Sequence, residues 1–330
     1  MRSKVYFTKD ISQEGVLKIF SKIDDNISGK VGIKLHFGEE GNKNFLDPSL
    51  IKKLIHKLQA SLLETNVLYI SKRRYTESHL KLAKEHGFDF APIDILDSAG
   101  DIIIPAKLNH FQEIKVGKNL LNYNSVIVYS HFKGHIMTGF GGAIKNVSMG
   151  LASLAGKMAL HASAIPKYNP SSCTKCTKCI PECPGNAISI NPLFINADKC
   201  IGCGKCIVVC PTGSFQVPWG STKLDIFMKR LVDYAKGISD IQKMVYINVL
   251  ANISKDCDCD SSAHPPFMEN IGILASTDIV AIDKASWDLV NKFNQSEDTF
   301  LELNSVSGIE QLIYANEIGL GNIEYDLINK

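Results

Sequence analysis

The chain has 330 residues, 45% of them hydrophobic and 21% charged, with a formal net charge of +2 at pH 7. That length allows about two domains and a large apolar core, and the composition excludes a disordered or collagen-like chain. So even a charge balance gives no reason to expect nucleic acid or an anionic membrane as a partner.

Residues 1–10 carry Arg2, Lys4, Lys9 and Asp10 and lack the apolar stretch of a secretory signal. No segment approaches the roughly 18 uncharged apolar residues of a membrane span. The expected compartment is therefore the cytoplasm, where thiols stay reduced. Val5, Tyr6 and Phe7 read as a strand, and residues 12–23 place Val16, Leu17, Ile19, Phe20 and Ile23 on one helical face. Residues 30–37 (KVGIKLHF) read as a second strand. Asp47 and Pro48 open a helix as N-cap and first position, with Leu50, Ile51, Leu54, Ile55 and Leu58 at helical spacing. Residues 67–70 predict a strand, and 77–86 a helix ended by Gly87. Residues 125–129 (SVIVY) predict a strand, and 143–161 a single small-residue helix. Further on, 223–236 predict a helix, 244–250 and 271–274 strands, and 283–293 a helix. This alternation predicts an α/β fold, a mostly parallel sheet with helices on both faces.

A small α+β insert is expected to interrupt that body. None of the ten cysteines precedes Cys173; eight lie between Cys173 and Cys210, and the others are Cys257 and Cys259. Residues 166–218 also hold seven of the twelve prolines. The expected division is a body of residues 1–169 and 219–330 and an insert of residues 170–218. In a reducing compartment such cysteines ask for a metal or a reaction rather than a disulfide framework.

The insert contains Cys173-x2-Cys176-x2-Cys179-x3-Cys183-Pro184 and, 27 residues later, Cys200-x2-Cys203-x2-Cys206-x3-Cys210-Pro211. This is the spacing of a bacterial ferredoxin with two [4Fe-4S] clusters, in which the fourth cysteine of each run serves the other cluster. The expected ligand sets are Cys173, Cys176, Cys179 and Cys210, and Cys200, Cys203, Cys206 and Cys183. A zinc site would use four ligands, usually as two separated pairs, which two complete copies disfavour. Ile180, Ile201, Ile207 and Val208 are expected to keep water from the clusters.

In the body, polar residues follow predicted strand ends, where open α/β sheets place their sites. Lys34, His36, Gly38 and Glu39 follow one strand, and His131, Lys133 and His135 another; His161 ends the small-residue helix. Extended, His131, Lys133 and His135 share one face that can bind a metal or a carboxylate or move protons; solvated or core-bonded polar residues are the alternative. Gly139, Gly141 and Gly142 precede a helix bearing Lys145 and Asn146. Open N–H groups at a helix start favour an anion, but the run matches no nucleotide fingerprint, and a close-packed turn competes. Cys257 and Cys259 share one face if extended, with Asp256, Asp258 and Asp260 on the other. Two thiolates and a histidine can hold an additional soft metal ion. His264 is near in sequence; His131, His135 and His161 are near only through the fold. A dithiol–disulfide pair and ordinary loop thiols are the alternatives. The flanking carboxylates are expected to raise the thiol pKa values.

Four stretches, IKLHFGEEGN (33–42), SHFKGHIMTGFGGAIKNVSMGLASLAGKMALH (130–161), KDCDCD (255–260) and IGILASTDIVAID (271–283), resemble the DUF362 family of iron–sulfur proteins. The similarity covers most of residues 30–293, with a ferredoxin module in this position. The family usually shows Asp-Pro-Val-Ala-(Ile/Val)-Asp, and this chain replaces the proline with Ile279 between Asp278 and Asp283. The resemblance implies a fold and a cluster content but no reaction. The leading functional expectation is an oxidoreductase whose insert passes low-potential electrons from a redox partner protein to the body. Cys257, Cys259, His131, Lys133 and His135 would form the reacting set. Lys34, His36, Lys145 and Asn146 would bind a cofactor or a small anionic substrate. A non-catalytic electron carrier and a metal- or sulfur-handling protein are the alternatives.

Overall fold

The computed structural model describes residues 2–161 and 165–330. Eight strands form the main sheet: β1 (Ser3–Thr8), β2 (Val31–Lys34), β3 (Ser61–Glu64), β4 (Ile93–Ile95), β5 (Ser125–His131), β6 (Lys243–Leu250), β7 (Gly272–Ser276) and β8 (Tyr325–Asn329). Their order is β8-β1-β7-β6-β5-β2-β3-β4. Only β7 runs against the rest. The middle strands β2, β5 and β6 are buried almost throughout, which is why they read as apolar runs rather than alternating ones.

Successive side chains point to opposite faces, and each face has its own core. On one face Val126 and Val128 of β5 meet α4 (Ala143–Leu151), α6 (Leu224–Ser239) and α7 (Ile279–Asn294). On the other face Ile127 and Tyr129 meet residues of α1 (Gln13–Phe20), α2 (Lys52–Leu58) and α3 (Thr76–Glu85). The helices α1 and α7 begin on the side-chain caps of Ser12 and Asp278, and Asp47 caps the 3-10 turn ahead of α2. The missing proline at Ile279 therefore leaves the start of α7 intact, because Asp278 accepts from the N–H groups of Val280 and Ala281. No helix among the described residues is long and apolar enough to cross a membrane.

Three sequence expectations need correction. The strand expected at 67–70 lies instead at β3, where Leu62 and Leu63 are fully buried; residues 67–70 bend away, with Ile70 77% exposed. The helix expected over 143–161 is two helices, α4 and α5 (Leu154–His161). Ala152 pairs with Val116, the N–H of Ser153 bonds to Lys115, and the Ser153 hydroxyl caps the N–H of Gly156, so the break is held from three sides. Finally, the strand expected over 30–37 ends at Lys34; β4 and β8 were not expected, because β4 is three residues long and β8 is a half-exposed edge.

The cysteine-rich segment has its own small core. Lys167–Tyr168 pairs with Phe215–Gln216 antiparallel, so the two ends of the segment lie side by side. A second hairpin pairs Ile188–Ile190 with Leu193–Ile195, and a short helix covers Lys205–Val209. Ala187, Leu193, Ile195, Ile207, Val208 and Phe215 pack together there with Leu68 and Met158 of the main fold. Of the four residues expected as apolar cover, Ile207 and Val208 are buried, whereas Ile180 and Ile201 face outward.

Candidate active site

A cavity of about 750 Å³ opens at the carboxyl ends of β2, β3 and β5. Its volume suits a small molecule. It is lined by Lys34, His36, Glu39, Glu64, Tyr69, Arg73, His131, Lys133, His135, Lys145, Asn146, Lys157, His161, Cys257, Asp258 and Cys259. All nine candidate residues of the body thus share one cavity. Glu64, Tyr69, Arg73 and Lys157 were not singled out from sequence. Glu64 ends β3 as Lys34 ends β2, a position hidden in the sequence because the strand is expected at 67–70.

Around Cys257 the chain turns rather than extends. The N–H of Cys259 bonds to the Cys257 sulfur at 3.5 Å, and the Lys145 ammonium donates to it at 3.4 Å. One ring nitrogen of His135 and both sulfurs lie within 4.8 Å of one another. The expected rise is found at Cys259, which the Cys257 sulfur and burial hold well above the usual thiol range, and not at Cys257. A hydrogen bond from Cys259 and the charges of Lys145 and Lys133 hold Cys257 well below the usual thiol range against the cost of burial. Asp258, paired with His131 and Lys133, acts in the opposite direction and is outweighed. His264 is not a partner: its ring bonds to Asp256 at 2.7 Å and is largely exposed.

His131 ends β5 and donates from Nδ1 to Asp258 at 2.8 Å, both side chains being buried. Its Nε2 is also buried and has no hydrogen-bond partner among the described residues. The carboxylate fixes the tautomer and leaves the Nε2 lone pair facing the site. Burial holds the pKa of His36 and His135 well below the usual histidine range, so both stay neutral. The His36 Nδ1 accepts from the N–H of Gly38, which leaves its proton on Nε2. His161 is pulled down to about 3 by burial, with its ring stacked on Phe227 and edge-on to Trp219.

Lys34 and Asn146 are not free to bind a ligand. The Lys34 ammonium meets Glu64 at 3.0 Å, Asn146 Oδ1 at 2.8 Å and the Leu35 carbonyl at 2.8 Å. Asn146 in turn donates to the Ser130 hydroxyl and the Tyr129 carbonyl, tying β5 to α4. Arg73 closes the same network on Glu64 at 3.0 Å. Burial would raise the Glu64 pKa, but Lys34 and Arg73 together hold it far below the usual carboxylate range.

Lys157 has no carboxylate within ion-pair reach among the described residues; it donates to Thr65 Oγ1 and the Asn66 carbonyl. Burial pulls its pKa down to about 8. Between about 8 and its unfolded value near 10.4 the unfolded chain then holds more protons. The stability of the wild type relative to Lys157→Met is expected to rise over that range, by about 3 kcal/mol at most. Denaturant unfolding of both proteins from pH 7.5 to 10.5 checks this, and a difference that stays flat with pH refutes it.

The glycine run does not leave helix N–H groups open for an external anion. The Asp283 carboxylate takes the N–H of Ala143 at 2.7 Å and of Ile144 at 2.9 Å, and accepts from Asn248 at 2.7 Å. A Cβ on Gly142 would lie 2.3 Å from the same carboxylate, which is why glycine stands there. Burial pushes the Asp283 pKa up to about 6.

The two cysteine runs fold alike. Lys175, Thr177 and Asn186 adopt positive φ, and so do Gly202, Gly204 and Gly213, each 27 residues on. The N–H of Ala187 bonds to the Cys183 sulfur, and that of Ser214 to the Cys210 sulfur, both at 3.2 Å. Such left-handed turns gather N–H groups into anion-holding nests. The Cys179 thiol is influenced by those of Cys210, Cys176 and Cys173. The Cys206 thiol is influenced by those of Cys203, Cys200 and Cys183.

One wall separates this segment from the cavity. In the loop after β3, Tyr69 and Arg73 face the cavity. Leu68 also packs into the core of the cysteine segment, and Tyr75 donates to the Val208 carbonyl at 2.8 Å. In α5, Lys157 lines the cavity while Met158 packs on the segment. The turn at Gly204, between Cys203 and Cys206, lies against Leu68 and Met158.

The family profile described as "Domain of unknown function (DUF362)" matches residues 31–288. No curated protein matches the chain. Among solved structures the chain is similar to the lactate racemase apoprotein from Thermoanaerobacterium thermosaccharolyticum, at 14% identity and a TM-score of 0.46, covering 88% of this chain and 58% of that one. It is also similar to a Thermotoga maritima structural-genomics protein, at 11% identity and a TM-score of 0.41, covering 89% and 59%. The chain thus spans less than two thirds of the length of either.

Proposed function

Because the chain belongs to the DUF362 family, whose description carries no reaction, we propose its function from its own residues: an iron–sulfur oxidoreductase acting on a small anionic substrate in the cavity. The observation that carries this reading is the shared wall, in which the loop after β3 and α5 touch the cysteine segment on one side and the cavity on the other.

Cys173, Cys176, Cys179 and Cys210 would hold one cluster, and Cys200, Cys203, Cys206 and Cys183 the other. The two thiol groupings, the repeated left-handed turns, the N–H to sulfur bonds and the apolar core support that fit. Bound there, such clusters supply single electrons at low potential, replenished by a redox partner protein.

The cavity residues divide the remaining tasks. Lys145 and Lys157 are the ammonium groups without an ion-paired carboxylate among the described residues, so they take the negative group of the substrate. His131, oriented by Asp258, holds or returns a proton at Nε2. Lys34, Glu64 and Arg73 fix the walls rather than the substrate.

Protein purified without oxygen is expected to carry about eight iron and eight sulfide per chain. Cys203→Ser and Cys210→Ser are each expected to lose about half of that, from different clusters. Wild-type protein that stays iron-free after anaerobic reconstitution would refute the reading.

A further inference from the structure

We propose that Cys257, Cys259 and His135 form a site for one thiophilic divalent metal ion of the zinc class, with its fourth position open to the cavity. This site is separate from the eight clustered cysteines and does not depend on their holding iron.

The geometry is selective. One ligand atom from each residue lies within 4.8 Å of the other two, and no other such trio of His, Cys, Asp or Glu occurs among the described residues. Cys257 and His135 are buried, and Cys259 is partly so. Two thiolates and one imidazole are the protein donors of an open, catalytic type of zinc site, whose remaining position takes water or substrate.

The surroundings favour the same occupant. Every nearby carboxylate is engaged elsewhere: Asp258 with His131 and Lys133, Asp256 with His264, and Asp260 with Ser262. That leaves nitrogen and sulfur donors, which select a soft or borderline ion over magnesium or calcium. Thr138 orients the histidine. Its hydroxyl lies 2.9 Å from His135 Nδ1, which also accepts from the Met137 N–H at 3.2 Å. With Nδ1 engaged, Nε2 is the nitrogen left for the ion, which binds there by displacing its proton. Lys145 stands 3.4 Å from the Cys257 sulfur, where it would bring an anionic ligand to the open position.

The test compares wild type with Cys257→Ser/Cys259→Ser, His135→Ala and Thr138→Val, all purified without oxygen and with reduced thiols verified by alkylation and mass spectrometry. Elemental analysis is expected to show one metal ion per wild-type chain beyond what the double variant holds, with cluster iron equal in both. Added Co2+ is expected to give a thiolate-to-cobalt charge-transfer band in wild type and none in the double variant. His135→Ala is expected to bind Co2+ about 100-fold more weakly, and Thr138→Val about 10-fold. Equal metal content and equal cobalt binding in wild type and double variant overturn the proposal. So does a wild-type chain with reduced Cys257 and Cys259 that binds no Co2+. Low iron in every protein, with the cobalt difference intact, overturns only the cluster reading.

Discussion

Replacing Glu64 by alanine is expected to cost about 3–5 kcal/mol of stability, the largest single effect in this chain. Glu64 sits at the end of β3 with its carboxylate 3.0 Å from both the Lys34 ammonium and the Arg73 guanidinium. All three side chains are at most 3% exposed. Removing the carboxylate strands two cations away from water, and among the described residues neither has another carboxylate as near; Arg73 would keep Glu39, at 3.7 Å. Urea unfolding at pH 7 under anaerobic conditions measures the loss. Should the alanine protein fail to accumulate, Glu64→Gln gives the number, because glutamine keeps the shape and one acceptor while deleting the charge. A glutamine variant as stable as wild type would refute the argument.

The second large effect belongs to Asp283, for which alanine is expected to cost about 3 kcal/mol. Three donors lose their acceptor at once: the first two N–H groups of α4 and the Asn248 amide. Each buried donor left without a partner costs about 1–3 kcal/mol, and the three are not additive. Asp283 also spans two elements, since it stands inside α7 while capping α4. The change is therefore expected to loosen the glycine turn at 139–142 and the hairpin in which Lys133–His135 pairs antiparallel with Gly139–Gly141. Amide hydrogen exchange of residues 139–146 reads this directly. Unchanged protection there, with unchanged stability, would show that the cap contributes nothing.

Much of the fold was legible because its middle strands are buried on both faces, so that SVIVY and the first half of KVGIKLHF read as apolar strands. The edges were not legible. At β4 and β8 one side meets solvent or a loop, and Asp94, Asp326 and Asn329 interrupt the apolar pattern. The candidate site was legible as residue types past strand ends, and all nine body residues do line one cavity. Their roles were not. Lys34 and Asn146 look like ligands in the sequence because nothing there reveals that they bond to each other across 112 residues. The carboxylates of KDCDCD look repulsive until the fold hands Asp256 to His264 and Asp258 to His131. His135 could not be matched with Cys257 from the sequence, since the contact joins a hairpin after β5 to a loop after β6.

The repeat in the cysteine segment is not symmetric in its residues. Where the second run uses Gly202, Gly204 and Gly213 for its left-handed turns, the first uses Lys175, Thr177 and Asn186. Glycine enters that conformation freely, whereas a side chain pays about 1–2 kcal/mol. The first run therefore keeps the same turns against a local strain that the second lacks, and glycine at Lys175 or Thr177 would relieve it.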